Sequence, residues 1–353
     1  MSRLTKLREK MQLESLDAFI IASTENRRYL SGFTGTSAML VVLLNKAYLL
    51  TDFRYIEQAT TQATEFEIVD SGSDFFQSVK DLAQDAKRIG FEEDYTTYDM
   101  YLKLKEALSK GELVEQAKVL TGLRSIKDSK ELDKLRQAVR IADEAFTHII
   151  KFVKPGMTEE EVSLELEFNM RKAGASGGSF DFIVASGWRS AMPHGVASSK
   201  TLQRGEIVTL DFGAVYQGYC SDITRTFALG EADDKQREIY EIVLKAQLAG
   251  IAAIKPGLKG KEVDAVSRKI IDDAGYSKNF GHGLGHAVGL AIHESPRLSL
   301  REEQVIEPGM VLTVEPGIYL PDWGGVRIED MIVVTENGCE VLTQAPKEFI
   351  IIE

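Results

Sequence analysis

The sequence has few of the residues that staple or span. Its 353 residues include two cysteines, Cys220 and Cys339. That is too few for a disulfide framework, and they lack the spacing of a thiolate metal site. A reducing, cytoplasmic setting is the expectation. No apolar run approaches the roughly 20 residues needed to span a bilayer. Residues 38–50, the most apolar stretch, are interrupted by Asn45-Lys46 and read as a hairpin, and the first twenty residues are charged throughout, without a signal-peptide core. Positive charge is also short. Against 42 Lys and Arg stand 54 Asp and Glu, a net charge of −12 with no basic stripe, which disfavours nucleic acid and anionic membrane as partners.

What the chain does have is acids in pairs. Asp211 ends the alternating run Ile207, Val208, Leu210, and the turn signal Gln217-Gly218 separates it from Ser221-Asp222-Ile223-Thr224. A hairpin centred on that turn sets residue 211 opposite 224, with 222 its diagonal neighbour on the same face, Cβ atoms about 5–8 Å apart. Two anions so placed repel unless one is protonated, both are solvated or a cation joins them. For an isolated pair the ordinary answer is a wet hairpin face.

An internal repeat changes that answer. Lys154-Pro155-Gly156 recurs as Lys255-Pro256-Gly257, and Ala173-Gly174 as Ala274-Gly275. Residues 205–213 align with 309–317, so Asp211 maps onto Glu315. Beyond the second turn, Asp222 maps onto Glu329. Each half reads as two helices followed by a hairpin with two inward carboxylates. Two copies are too few, and the period too long, for a solenoid. Packed about a pseudo-twofold axis, they would bring four carboxylates together, and four clustered anions demand cations.

Length predicts two domains, residues 1–122 and 123–353. The first alternates short apolar and amphipathic runs: strands at 16–22, 39–44, 47–51 and 66–69, and helices at 53–64 and 75–86. That is a small α/β domain without histidine. Residues 29–35 and 51–55, aromatic and in part glycine-containing, could line a cleft or simply pack. A helix begins near Ser129, taken as its N-cap, and ends at Lys154-Pro155-Gly156. His148 lies on it beside the apolar stripe and reads as structural. The other four histidines, His194, His282, His286 and His293, fall inside the duplicated region with the acids. The Gly281, Gly283, Gly285 pattern has the wrong spacing for a phosphate loop. It better suits close backbone approach to a metal and substrate.

The set Asp211, Asp222, His286, Glu315 and Glu329, with its flanking segments, resembles the dinuclear site of the pita-bread metallopeptidases: methionine aminopeptidase, aminopeptidase P, prolidase and the metal-free creatinase. Residues 29–35 and 51–55 resemble the creatinase-type amino-terminal domain, which methionine aminopeptidases lack. The resemblance implies a mixed α/β and α+β fold, with that small domain preceding a duplicated pita-bread catalytic domain. It implies that Asp211 chelates one metal, Asp222 and Glu329 bridge two, and His286 and Glu315 bind the other. An oxygen-rich set with one imidazole suits Mn²⁺, with Co²⁺, Fe²⁺ and Zn²⁺ as alternatives.

The nucleophile implied is a metal-bridging hydroxide, with Glu315 as proton shuttle. His194 and His293 would hydrogen-bond substrate and the developing gem-diolate, and His282 would line the pocket. Tyr319 and Arg327 would support the ligands, Arg327 holding a carboxylate. The implied substrate is a small peptide with proline second, cleaved at the Xaa-Pro bond, and the assembly a homodimer. Xaa-Pro dipeptidase is the first expectation and aminopeptidase P, acting on longer peptides, the alternative. A creatinase-like amidinohydrolase or a non-catalytic binding module would be expected to lose ligands. One departure is Ala287, which follows His286 where the family commonly has Gly.

Overall fold

The computed structural model describes all of residues 1–353 and divides into two compact units, Met1–Arg124 and Ser125–Glu353. In the first, strand Ala18–Ile21 pairs antiparallel with Met39–Leu43, and that strand with Ala47–Thr51. Glu67–Asp70, Arg88–Phe91 and Glu112–Glu115 add parallel strands, completing a six-stranded sheet. Val41, Leu50, Ile89 and Leu104 are among the residues of its core. The aromatic stretches are divided between packing and solvent. Tyr29 and Phe33 are buried, Phe33 meets Tyr55 edge to face, and Phe53 is exposed. Residues 29–31 complete a helix, Thr24–Ser31, which Gly32 ends at φ 76°.

The second unit shows the duplication. Helices Ser129–Phe152 and Glu159–Lys172 precede the first hairpin, and helices Asp234–Ala253 and Gly260–Asp273 precede the second. Local sequence explains each boundary. Asp128, one residue before the expected cap, starts the first helix through a reciprocal capping box with Glu131. The paired segments Lys154-Pro155-Gly156 and Lys255-Pro256-Gly257 stop helices because proline resists continuation, and Gly156 and Gly257 take positive φ. In the next helices Glu161 closes a capping box with Thr158, and Glu262 makes half of one, accepting from the Lys259 backbone N–H at 2.7 Å.

Strands Ile183–Ser186, Ile207–Phe212 and Ile223–Leu229 are successive neighbours in one sheet, and Gly285–Ala287, Val311–Val314 and Asp330–Thr335 form the centre of the other. Each packs its own apolar core, around Phe146, Leu166 and Phe227 in one half and Val243, Ile271 and Ile332 in the other.

Candidate metal and active site

The first hairpin has the register its turn dictates. Asp211 pairs with Thr224, and Val215 with Cys220. Gln217 and Gly218 both take positive φ, as a tight two-residue hairpin turn requires. Asp222 therefore stands diagonal to Asp211. Between them Gly213 lets the two strands close in, since a Cβ there would overlap the Ser221 carbonyl. The second hairpin differs in detail. Val314 pairs with Asp330 and Gly317 with Arg327, so Glu315 and Glu329 lie directly opposite one another.

His286 enters from strand Gly285–Ala287, which can lie against Thr313 only because residue 285 has no Cβ. Its Nδ1 contacts the Ala287 carbonyl at 3.1 Å, leaving Nε2 toward the acids, 3.4 Å from Glu315 Oε1 and 3.6 Å from Asp222 Oδ2. Ligand atoms of Asp222, His286 and Glu329 lie within 4.8 Å of one another. All five residues line one cavity of about 520 Å³, together with His194, His282, His293 and Arg327.

The cluster is buried, and Arg327 is too little counter-charge for its four acids. Burial first, then the charges of Glu329, Asp211 and Glu315, hold the Asp222 carboxyl well above its usual range. Glu329 is raised likewise, by burial and then by Glu315 and Asp211. Glu315 is pushed up to about 8, mainly by burial, with Arg327 opposing. Burial lowers His286 to about 4. Asp211 Oδ1 and Glu329 Oε1 are buried without any hydrogen-bond partner. Two orphaned carboxylate oxygens and a neutral imidazole nitrogen beside raised carboxyls form a donor set that fits divalent cations.

Neighbouring groups fix the acids in place. Arg327 donates from Nη2 to Asp211 Oδ2 at 2.6 Å, from Nη1 to the Tyr319 hydroxyl at 2.8 Å and from Nε to Thr224 Oγ1 at 3.1 Å. The Thr224 hydroxyl donates to Glu329 Oε2 at 2.7 Å, and that of Thr313 to Glu315 at 3.2 Å. The Tyr319 hydroxyl is also 2.8 Å from His282 Nε2, while His282 Nδ1 meets the Gly283 carbonyl. Burial keeps His282 near 4 and so neutral at pH 7. The His293 ring packs edge-on against His286, centroids 4.5 Å apart. His148 stands apart from the cluster, paired with Glu165 at 2.7 Å.

Sequence reasoning missed several participants. Arg297 lines the cavity with its side chain exposed. Buried Arg225 donates to the Glu329 carbonyl and to Asp330 Oδ1, at 2.5 and 2.7 Å, stiffening the backbone beneath Glu329. Thr224 and Thr313 stand two residues from acids on the same strand face, a period-two signal that was available in the sequence.

Comparison with known proteins agrees with this geometry. Residues 133–336 match metallopeptidase family M24, and residues 3–126 match the creatinase/prolidase N-terminal domain. A Xaa-Pro dipeptidase of Pyrococcus horikoshii is 39% identical over 99% of this chain and 98% of its own. The solved Xaa-Pro dipeptidase from Bacillus anthracis superposes with a TM-score of 0.96 at 50% identity, covering 99% and 98% of the two chains. The X-Pro aminopeptidase from Thermotoga maritima does so at 0.93 and 38%, covering 100% of both. The chain belongs to metallopeptidase family M24 and has the expected fold, a creatinase-type domain followed by a pita-bread catalytic domain. That family works with two metal ions, and no helix here is long and apolar enough to cross a membrane.

Proposed function

We propose that the chain is a Xaa-Pro dipeptidase using two divalent cations, Mn²⁺ before Co²⁺, Fe²⁺ or Zn²⁺, held by Asp211, Asp222, His286, Glu315 and Glu329. The observation that carries this reading is the buried carboxylate cluster with its two orphaned oxygens. When bound, the cations would polarise the scissile carbonyl and lower the pKa of water.

The protein's own groups do the rest. Glu315, whose carboxylate lies at the cavity wall beside His286, takes the proton of the attacking water and delivers it to the leaving proline nitrogen. His194 and His293, at the cavity wall, donate to the substrate and to the oxyanion that develops on its carbonyl. Arg327 holds Asp211 and, through Tyr319, His282. An apolar wall that includes Phe180, Pro193, Val196 and Ile292 suits the proline ring.

Arg297 supports dipeptidase over aminopeptidase P. A dipeptide presents a free carboxylate just beyond proline, whereas a longer peptide presents an amide there. A cation on the cavity wall favours the first. The similarity to the Thermotoga maritima X-Pro aminopeptidase keeps the second reading in view. A cytoplasmic homodimer completes the proposal: two free cysteines suit the compartment, and family likeness supports the dimer.

The test is hydrolysis by enzyme stripped of metal and reloaded with Mn²⁺, using Ala-Pro, Ala-Pro-Ala and Ala-Ala. Cleavage of Ala-Pro alone is expected. Preference for the tripeptide would make the protein an aminopeptidase P. Failure on all three, with metal bound, would remove the substrate assignment.

A further inference from the structure

Glu159 is a buried carboxylate to which the reading above gives no role. It opens helix Glu159–Lys172 and is fully buried, although an acid at a helix start needs no burial to favour the helix. Both of its oxygens serve the loop that follows strand Ile183–Ser186. Oε1 accepts from the Ser186 backbone N–H and from the Ser186 hydroxyl, each at 2.8 Å. Oε2 accepts from the Ser198 backbone N–H at 3.1 Å, from the Ser198 hydroxyl at 2.7 Å and from Arg189 Nη1 in an ion pair. Arg189 Nη2 in turn donates to the Val196 carbonyl at 2.8 Å. One carboxylate thus ties both ends and the first turn of residues 186–198. Between those ties stands His194, at the wall of the cavity that holds Asp211 and Asp222.

The other half of the duplication sets a partly exposed carboxylate beside the corresponding helix start. The repeat puts Gly260 in the place of Glu159, and a Cβ there would stand 2.6 Å from Glu302 Cγ. Glu302 comes from the loop and accepts from the backbone N–H of Arg297 at 3.2 Å and of Gln304 at 2.9 Å. Each half therefore keeps a carboxylate between a helix start and a loop that lines the cavity. A buried ion pair is a weak source of stability, so the burial of Glu159 with Arg189 points to what they hold in place.

We infer that Glu159 is a positioning residue, setting where His194 meets the substrate by fixing both ends of its loop. This rests on the proposed role of His194. With the carboxylate replaced by an amide, one of its oxygens becomes a donor facing donors, and the loop is freed at that edge. A displacement of about 1 Å at a group that contacts the reacting atoms lowers turnover about 10²-fold.

The experiment includes an arm independent of hydrolysis. Trp188 lies on the tethered loop and the only other tryptophan is Trp323, so in a Trp323→Phe background Trp188 fluorescence reports the loop. Glu159→Gln, folded by circular dichroism and with normal metal content, is expected to show increased acrylamide quenching of Trp188. Its kcat on Ala-Pro should fall about 10–100-fold at nearly constant KM. Added to His194→Ala, the same substitution should change kcat by less than about twofold, since the two act as one unit. Unchanged quenching, or effects that multiply independently, would overturn the positioning role alone. His194→Ala turning over Ala-Pro at the wild-type rate would overturn the reading of His194, and the positioning role with it. Should Glu159→Gln not fold, Ser198→Ala, which removes one donor, carries the same readouts, and unchanged quenching there refutes the inference.

Discussion

Removing metal should make the stability of the protein fall as pH rises from 6.5 to 8. The window follows from two opposing sets of groups. His282 and His286, lowered from 6.5 to about 4, are neutral in both folded and unfolded chains above 6.5, so their contribution is complete there and is lost only on acidification. The carboxyl of Glu315, raised from 4.5 to about 8, keeps its proton in the metal-free folded state and gives it up in the unfolded chain. Between those values the folded state binds more protons, so unfolding free energy declines with rising pH. From pH 6.5 to 8 this one group contributes a loss of about 2 kcal/mol. For a unit of this size that lowers the melting temperature by about 4–8 °C. Asp222 and Glu329, raised in the same direction, add to it. Excess Mn²⁺ should abolish or reverse the slope, because its binding requires deprotonated carboxylates and strengthens with pH. Differential scanning calorimetry of the chelated protein at a series of pH values, with and without Mn²⁺, measures both. A melting temperature that is flat or rising from pH 6.5 to 8 without metal would refute the claim that the cluster holds more buried acid than Arg327 compensates.

Asp222→Asn and Glu329→Gln should abolish hydrolysis and metal retention while leaving the fold intact by circular dichroism. Near-normal turnover by either would sink the dinuclear assignment. Arg327→Met removes the guanidinium that orients Asp211 at 2.6 Å, and should weaken metal affinity about 10–100-fold by titration calorimetry; unchanged affinity would show that Asp211 needs no such support. Arg297→Gln should raise KM for Ala-Pro but not for Ala-Pro-amide, since only the former offers a carboxylate.

The four clustered acids were legible because the chain states the pair twice, whereas His286 was singled out as a ligand by resemblance. The turn Gln217-Gly218 fixed the register of one hairpin, and the repeat carried the inference to the other, though it could not tell that Glu315 and Glu329 lie directly opposite while Asp211 and Asp222 lie diagonally. That difference comes from where each strand breaks, at Gly213 in one half and around Pro316-Gly317 in the other. The amino-terminal helix Thr24–Ser31 was hidden for another reason. Beside Tyr29 and Leu30 it buries Asn26 and Arg27, and Glu92, 66 residues away in sequence, accepts from Asn26 Nδ2 at 2.6 Å. Apolar periodicity registers poorly a short helix whose buried face is largely polar and whose partner is distant.

Glu159 illustrates the same limit within the catalytic unit. It heads the run Glu159-Glu160-Glu161, three acids in a first helical turn, each of which already satisfies the local rule that anions favour a helix start. Glu161 does the local work, closing the capping box, Glu160 stays exposed, and Glu159 is fully buried. Nothing in the run separates the three, because what buries Glu159 is a ring of donors 27 to 39 residues downstream. Only the second copy offers a hint. Glycine at position 260 leaves room for a side chain from elsewhere, and in the structure Glu302 fills it. A duplicated fold can keep a charge at a place while changing which residue supplies it, so aligning the copies residue by residue finds the metal cluster and passes over the carboxylates that hold its loops.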